Sequence, residues 1–173
     1  MRFKGTVYRA HNPRWAFSPL SGEGAARTGG RFNRPGVPAL YTSLTLETAV
    51  REATQGFARK LDPLTLCAYD VDCADIADLT SESQRTRLDI AAADLACPWK
   101  LLAHESKPVP SWVATDKLVR SGHAGILVRS FAPGATEGDV NLVLWHWGAS
   151  LPHRVKLHDP ERRLPRNQKS WSD

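Results

Sequence analysis

The sequence lacks long apolar runs and contains few cysteines. No stretch approaches the ~20 apolar residues that a membrane helix needs, and the N-terminal segment MRFKGTVYRA has no apolar core of the kind found in signal peptides. We therefore expect a cytoplasmic protein that does not act on a membrane. The three cysteines, Cys67, Cys73 and Cys97, match neither a zinc knuckle nor a redox CxxC pair. Free thiols in a reducing compartment are the expected state.

Several catalytic and binding motifs are also missing. The six histidines include no HExxH motif and no pair at helical i, i+4 spacing, which argues against a catalytic metal. The sequence contains no Gly-x-Ser-x-Gly elbow of a serine hydrolase. Its glycine-rich segment GEGAARTGGR lacks the Lys-Ser/Thr pair of a nucleotide P-loop. No recognition-helix, RNA-recognition or zinc-finger pattern is present, so basic charge alone does not indicate nucleic-acid binding.

The residues that are present predict one globular domain over residues 1–173, of which 42% are hydrophobic and 24% charged. The formal net charge of +5 is unevenly distributed along the chain. Residues 1–34 contain seven Arg or Lys residues against one carboxylate, Glu23, and residues 160–173 form a basic tail. Such clusters are either solvated basic faces or binding sites for a phosphate-bearing ligand, and charge alone does not decide between them.

Hydrophobic periodicity predicts an α+β fold. Strands are expected at 6–10, 39–43, 64–72, 124–130, 139–147 and 153–159, the last two joined by a turn. Helices are expected at 83–95 and at 111–120. A further helix is expected after a cap at Ser43 or Thr45. The core face of that helix is predicted to carry Leu46, Ala49, Val50, Ala53 and Phe57. A long loop to about Pro38 and a loose tail complete the chain. Because helices come early and paired strands late, antiparallel sheets are expected rather than a doubly wound sheet.

Glu52 stands out on the helix that follows residue 45. Glu47 and Arg51 are four residues apart and can pair, whereas the i±3 and i±4 neighbours of Glu52 carry no charge. Glu52 also lies at the border of the apolar stripe. It is therefore either a residue that faces a cleft or an exposed residue on the flank of the helix.

Three further residues admit structural explanations when each is taken alone. Tyr41 fits a core tyrosine, Arg31 fits a loop anchor bonded to a carbonyl, and Ser130 fits a hydrogen-bonding residue at a strand end. Their combined pattern is more specific. With YRA (8–10), GGRFNRPGVPALYTS (29–43), AVREA (49–53), ILVRS (126–130), NLVLW (141–145) and HDPERRL (158–164), the sequence resembles the RES family of bacterial toxins.

This resemblance implies an ADP-ribosyltransferase-like single domain with antiparallel sheets flanked by helices around an NAD cleft, and no metal. It assigns catalytic roles to Glu52, Arg31, Tyr41 and Ser130. It assigns NAD binding to Arg31, Tyr41, Arg9, Tyr8 and Asn141. Ser130 would either bond the NAD or orient the catalytic carboxylate, and Arg9 would supply a second cation beside Arg31.

The resemblance also implies a function. Members of the family are toxins paired with an Xre-like antitoxin. Any contact with nucleic acid is expected to occur only through this antitoxin. The expected activity cleaves the nicotinamide–ribose bond of NAD and transfers ADP-ribose to a cellular protein, for example a nucleotide-synthesis enzyme such as a phosphoribosyl pyrophosphate synthetase. One alternative is degradation of NAD with water or phosphate as acceptor. A further alternative is a non-catalytic nucleotide- or nucleic-acid-binding protein.

Overall fold

The computed structural model describes residues 1–55 and 62–169. Phe57 lies outside the described residues, as do the last four residues of the basic tail. The strands are β1 (Phe3–His11), β2 (Leu40–Ser43), β3 (Thr65–Cys73), β4 (Ile76–Asp78), β5 (Gly125–Arg129), β6 (Val140–Leu144) and β7 (His153–Leu157). The helices are α1 (Glu23–Thr28), α2 (Leu46–Thr54), α3 (Glu82–Arg87), α4 (Ala92–Leu95), α5 (Trp99–His104) and α6 (Pro110–Arg120), with a 3-10 turn at Pro13–Trp15.

Within the described residues, seven strands form one sheet in the order β4-β5-β6-β2-β1-β3-β7. Neighbouring strands of this sheet are antiparallel, except that β4 runs parallel to β5. The longest pairing joins β1 to β3, with Phe3 opposite Cys73 and His11 opposite Thr65. The predicted α+β fold class is confirmed.

The last two strands do not pair with each other as the sequence suggested. β7 lies at the sheet edge beside β3, with Val155 opposite Val71, whereas β6 lies between β2 and β5. β6 also ends at Leu144, before the predicted end at residue 147. The reason is that the N–H groups of Trp145 and His146 both donate to the carbonyl of Ala124, which takes residues 145–147 out of the ladder.

The single helix expected at 83–95 is two helices, α3 and α4. Asp89 has a positive φ of 51°, and this left-handed conformation ends the first helix. The segment between β1 and β2, expected to be a loop, contains α1. Neither α1 nor α5 is predicted, because helices of six residues are too short to show a clear apolar period.

The sheet buries apolar side chains on both of its faces. On one face, Ile126, Val128 and Val143 pack with Leu95 of α4 and Leu118 of α6. The opposite face buries a second cluster that includes Val7, Leu40, Tyr69, Leu127, Leu142 and Val155. Successive residues of a strand point to opposite faces, so β5 and β6 each contribute to both clusters.

Helix α2 begins at a cap formed by Thr45, whose Oγ1 accepts the N–H of Thr48 at 3.2 Å. Ala49 is buried, in agreement with the predicted core face. Leu46 and Ala53, predicted on the same face, are exposed. The apolar side of α2 is therefore only partly covered by the sheet, which leaves room for a cavity beside the helix.

The basic tail is anchored to the domain over part of its length, which corrects the expectation of a loose tail. The carboxylate of Asp159 accepts the N–H groups of Arg163 at 2.8 Å and Leu164 at 3.2 Å. The side chain of Leu164 packs against the second core cluster. No helix in residues 1–55 or 62–169 combines the length and apolar character required to cross a membrane.

Candidate active site

A cavity of about 370 Å³ opens beside α2, on the sheet face that carries Val143. This volume is within the range of small-molecule sites. Its walls come from β1, residues 30–32, β2, α2, α5, β6 and the residues that follow β5. Glu52, Arg31, Tyr41 and Asn141 line the cavity, so the fold brings these predicted site residues together.

The carboxylate of Glu52 is held through one of its two oxygens. Oε1 accepts a hydrogen bond from Ser130 Oγ at 2.7 Å and a second one from Asn141 Nδ2. Among the described residues, no donor bonds to Oε2. The side chain is therefore fixed in orientation while one charged oxygen is available to a ligand. This contact places Ser130 behind the carboxylate, where it orients Glu52.

A second layer of polar contacts supports these donors. β2 and β6 pair with Ser43 opposite Asn141, and Ser43 Oγ donates to Asn141 Oδ1 at 2.7 Å. The Ala132 N–H donates to Ser130 Oγ at 3.1 Å. Because Asn141 accepts through its oxygen, its Nδ2 is turned toward Glu52. The sequence did not identify Ser43 as a site residue, since its role follows from strand register.

The loop that carries Arg31 is bonded to other elements at three successive carbonyls. Those of residues 30, 31 and 32 accept hydrogen bonds from Trp112 Nε1 at 2.8 Å, Ser111 Oγ at 2.6 Å and Trp145 Nε1 at 2.9 Å. Two of the tryptophans in this sequence thus position the loop by donating through their ring nitrogens. These three hydrogen bonds restrain the loop, and a preorganised loop favours tight binding.

Tyr41 lies between this loop and the cavity. Its hydroxyl donates to Asn33 Oδ1 at 2.8 Å and accepts the Phe32 N–H at 3.0 Å. A Cβ atom at residue 30 would lie 2.5 Å from this hydroxyl oxygen, so the close approach requires Gly30. Burial raises the pKa of the Tyr41 hydroxyl above its ordinary value, and the group is neutral at physiological pH.

Only one nitrogen of the Arg31 guanidinium donates hydrogen bonds to the described residues. Its Nη1 donates to the carbonyls of Leu95 at 3.1 Å and Cys97 at 2.7 Å. Burial lowers the pKa of Arg31, but an arginine keeps its charge in proteins. Arg31 is thus a loop anchor, as one of the two sequence interpretations held. It also presents a cation to the cavity.

The neighbouring residues Tyr8 and Arg9 differ in where their side chains go. Tyr8 stands opposite Ser43 in the sheet and lines the cavity. Arg9 contributes to the cavity wall, but its Nη1 donates to the carbonyls of Pro19 at 3.0 Å and Ser21 at 3.1 Å. The structure therefore places the Arg9 guanidinium against the loop that follows β1.

A second carboxylate, Asp139, fixes helix α2 from outside the cavity. It accepts hydrogen bonds from the Thr136 N–H at 2.7 Å, from Thr136 Oγ1 at 2.9 Å and from Thr48 Oγ1 at 2.6 Å. These bonds, the Thr136 N–H first, lower the pKa of Asp139 to about 2. Arg51 Nε lies 3.6 Å from Asp139 Oδ1, so Arg51 pairs there and not with Glu47, as the helical spacing had suggested.

Metal-binding groups are not seen where the structure can be described. Residues 1–55 and 62–169 contain no cluster of three or more His, Cys, Asp or Glu side chains placed to hold a metal ion. Cys67, Cys73 and Cys97 are buried free thiols. The cavity is lined instead by further residues that the sequence did not single out, among them Trp99 and Lys100 of α5.

The family model described as RES domain matches residues 6–167, and the chain belongs to the RES domain family. No curated protein matches the sequence. The fold is similar to that of a chain in the crystal structure of the M. tuberculosis MbcT-MbcA toxin–antitoxin complex. The TM-score is 0.62 and the identity 22%, with 92% of this chain and 84% of that chain covered.

Proposed function

We propose that this protein is the toxin of a toxin–antitoxin pair, and that it cleaves the nicotinamide–ribose bond of NAD and transfers ADP-ribose to a cellular protein. One observation carries the proposal: Glu52 is held through Oε1 by Ser130 and Asn141, and its Oε2 has no partner among the described residues of the cavity. Membership of the RES domain family and the likeness to a chain of a toxin–antitoxin complex support it.

A single carboxylate suffices for this reaction. The nicotinamide nitrogen is positively charged in NAD, so nicotinamide leaves with the bonding electron pair as a neutral molecule and needs no general acid. The ribose passes through an oxocarbenium-like state, as in glycoside hydrolysis. Glu52 Oε2 accepts a hydrogen bond from a ribose hydroxyl, and its charge stabilises the positive charge that develops on the sugar.

The other cavity residues fit a dinucleotide of two flat rings and two phosphates. Arg31 supplies a planar cation that suits phosphate oxygens. The ring of Tyr41 can stack on nicotinamide, while its hydroxyl stays bonded to the loop. Ser130 and Asn141 keep the charge of Glu52 in place, so the protein need not reorganise during the reaction.

The acceptor and the partner are further parts of the proposal. A protein side chain attacks the ribose carbon that nicotinamide leaves, for instance on a nucleotide-synthesis enzyme such as a phosphoribosyl pyrophosphate synthetase. Water and phosphate are the alternative acceptors. An Xre-like antitoxin binds and inhibits the toxin in the cytoplasm, and contact with nucleic acid occurs through this antitoxin.

The test is incubation of the purified protein with NAD labelled in its adenylate half, with and without cell lysate, and with Glu52→Gln as control. Release of nicotinamide by the wild type alone supports the activity. A labelled protein band indicates transfer, free ADP-ribose indicates hydrolysis, and phosphorylated ADP-ribose indicates phosphate as acceptor. Absence of nicotinamide release, together with a salt-dependent shift on DNA or RNA, would favour the binding-protein alternative.

A further inference from the structure

Phe131 is a cavity residue without a role in the chemistry proposed above. It lines the cavity and is 36% exposed, although it is a large apolar residue. Its ring centroid lies 4.5 Å from Cζ of Arg31 and 6.1 Å from the ring centroid of Phe32. An arginine at this distance is within range of a cation–π attraction. The ring of Phe131 therefore supports one face of the Arg31 guanidinium.

The hydrogen bonds of Arg31 leave one edge of the guanidinium for a ligand. Nη1 donates to the carbonyls of Leu95 and Cys97. The other two nitrogens of the Arg31 guanidinium, Nε and Nη2, donate no hydrogen bond to any of the described residues. These two nitrogens form the edge of the planar group that can bind a phosphate or carboxylate through two parallel hydrogen bonds.

The same turn that carries Phe131 also contacts the cavity carboxylate. Ser130 Oγ donates to Glu52 Oε1 at 2.7 Å, and the Ala132 N–H donates to Ser130 Oγ at 3.1 Å. Two consecutive residues thus contact two charged groups of the cavity, Ser130 the carboxylate of Glu52 and Phe131 the guanidinium of Arg31. This juxtaposition fixes the spacing between cation and anion.

We propose that Phe131 is a positioning residue for Arg31. Its ring restrains the plane of the guanidinium, which two bonds from Nη1 alone leave able to tilt. The Nε–Nη2 edge is then presented to the anionic part of the ligand. The inference rests on the proposed function, because it takes the ligand to be NAD and its pyrophosphate to be that anionic part.

The test compares Phe131→Leu, which removes the ring, with Phe131→Tyr, which keeps it. Phe17→Leu is the matched control, because Phe17 pairs with Trp15 and is not among the cavity-lining residues. Phe131→Leu should raise the KM for NAD and the Kd for ADP-ribose by roughly twofold to thirtyfold, with a smaller change in kcat. Phe131→Tyr and Phe17→Leu should stay near the wild type. Thermal unfolding verifies that each variant is folded.

A double-variant cycle shows whether Phe131 acts through Arg31. In an Arg31→Ala background, Phe131→Leu should have no further effect on ADP-ribose affinity. An equal loss in both backgrounds would overturn the proposal. So would an unchanged KM and Kd in folded Phe131→Leu, or a Phe131→Tyr variant as impaired as Phe131→Leu.

A binding measurement separates this inference from the proposed function. If the wild type releases no nicotinamide from NAD, the proposed function fails, but calorimetric binding of inorganic pyrophosphate still tests the pair. Tighter pyrophosphate binding by the wild type than by Phe131→Leu supports the role of the ring. Equal binding by the two proteins, or none by the wild type, contradicts it.

Discussion

Glu52 of helix α2 and Asp139, which bonds to Thr48 of the same helix, are held in different ways. Asp139 is buried, accepts three hydrogen bonds from the described residues and faces Arg51. Glu52 borders the cavity and accepts its hydrogen bonds through one oxygen, within the described part of the chain. The first carboxylate is saturated by the protein, whereas the second keeps acceptor capacity for a ligand.

The contrast teaches how to separate a structural carboxylate from a functional one. Burying a charge is tolerable when hydrogen bonds compensate for the lost water, which is the case for Asp139. A carboxylate with an unused oxygen beside a cavity gains its remaining partner from solvent or substrate. Arg9 and Arg31 do not differ in this way, since each donates to two backbone carbonyls through Nη1.

The largest effect is expected from Glu52→Gln. The amide keeps the shape and one acceptor oxygen, but it loses the charge that stabilises the oxocarbenium-like state. Nicotinamide release should fall by roughly 10²–10³-fold, the usual loss when a charge-stabilising group is removed. Glu47→Gln on the same helix is the matched control and should keep wild-type activity. Nicotinamide release near the wild-type rate by a folded Glu52→Gln protein would contradict the mechanism.

A smaller but still large effect is expected from Arg31. Arg31→Ala removes a charge-assisted contact and should weaken NAD binding by about tenfold to a hundredfold. Arg31→Lys should weaken it less, because lysine keeps the charge but loses the planar fork. Arg34→Ala serves as control, since Arg34 pairs with Asp116 and does not line the cavity. Equal NAD affinity of the wild type and both Arg31 variants by calorimetry would reduce Arg31 to a loop anchor.

The difference between Glu52 and Asp139 also marks what the sequence can predict. Glu52 is distinguished in the sequence by its lack of charged i±3 and i±4 neighbours. This feature can be predicted because helical neighbours are only three or four residues apart in sequence. Strand alternation also predicts that the side chains of Tyr8 and Arg9 point to opposite faces of the sheet, although both residues line the cavity. The α+β class and most element positions follow from the same short-range periodicity.

The remaining features depend on contacts between distant segments. Ser43 meets Asn141 only because β2 and β6 pair in one register. Asp139 reaches Thr48 across 91 positions of sequence, so nothing near either residue indicates the bond. The same applies to β7, which pairs with β3 and not with β6, the strand that precedes it in the sequence. Register and strand order are set by the packing of the whole sheet and are not encoded in a window of neighbours.

Asp139→Asn should affect stability far more than chemistry. The substitution replaces an acceptor by an amide that cannot satisfy all three donors, and an unsatisfied buried group costs about 1–3 kcal/mol. For a domain of this size each kcal/mol lowers Tm by roughly 2–4 °C. The exposed Glu137→Gln, in the same connection and paired with Arg129, should change Tm little. Loss of turnover as large as in Glu52→Gln, without a fall in Tm, would contradict the assignment.

The smallest expected effect is the pH dependence of that Tm difference. Folding lowers the pKa of Asp139 from 3.8 to about 2, so the charged form stabilises the fold. This contribution is fully present above pH 3.8 and is lost as the pH falls through 2, where the folded wild type also becomes protonated. The Tm difference between wild type and Asp139→Asn should therefore be constant from pH 7 to about 5 and shrink to a small residual near pH 2. Other carboxylates titrate in both proteins and cancel in the difference. A difference that stays constant down to pH 2, or that shrinks already above pH 6, would show that hydrogen bonds to the charged form do not hold Asp139 in place.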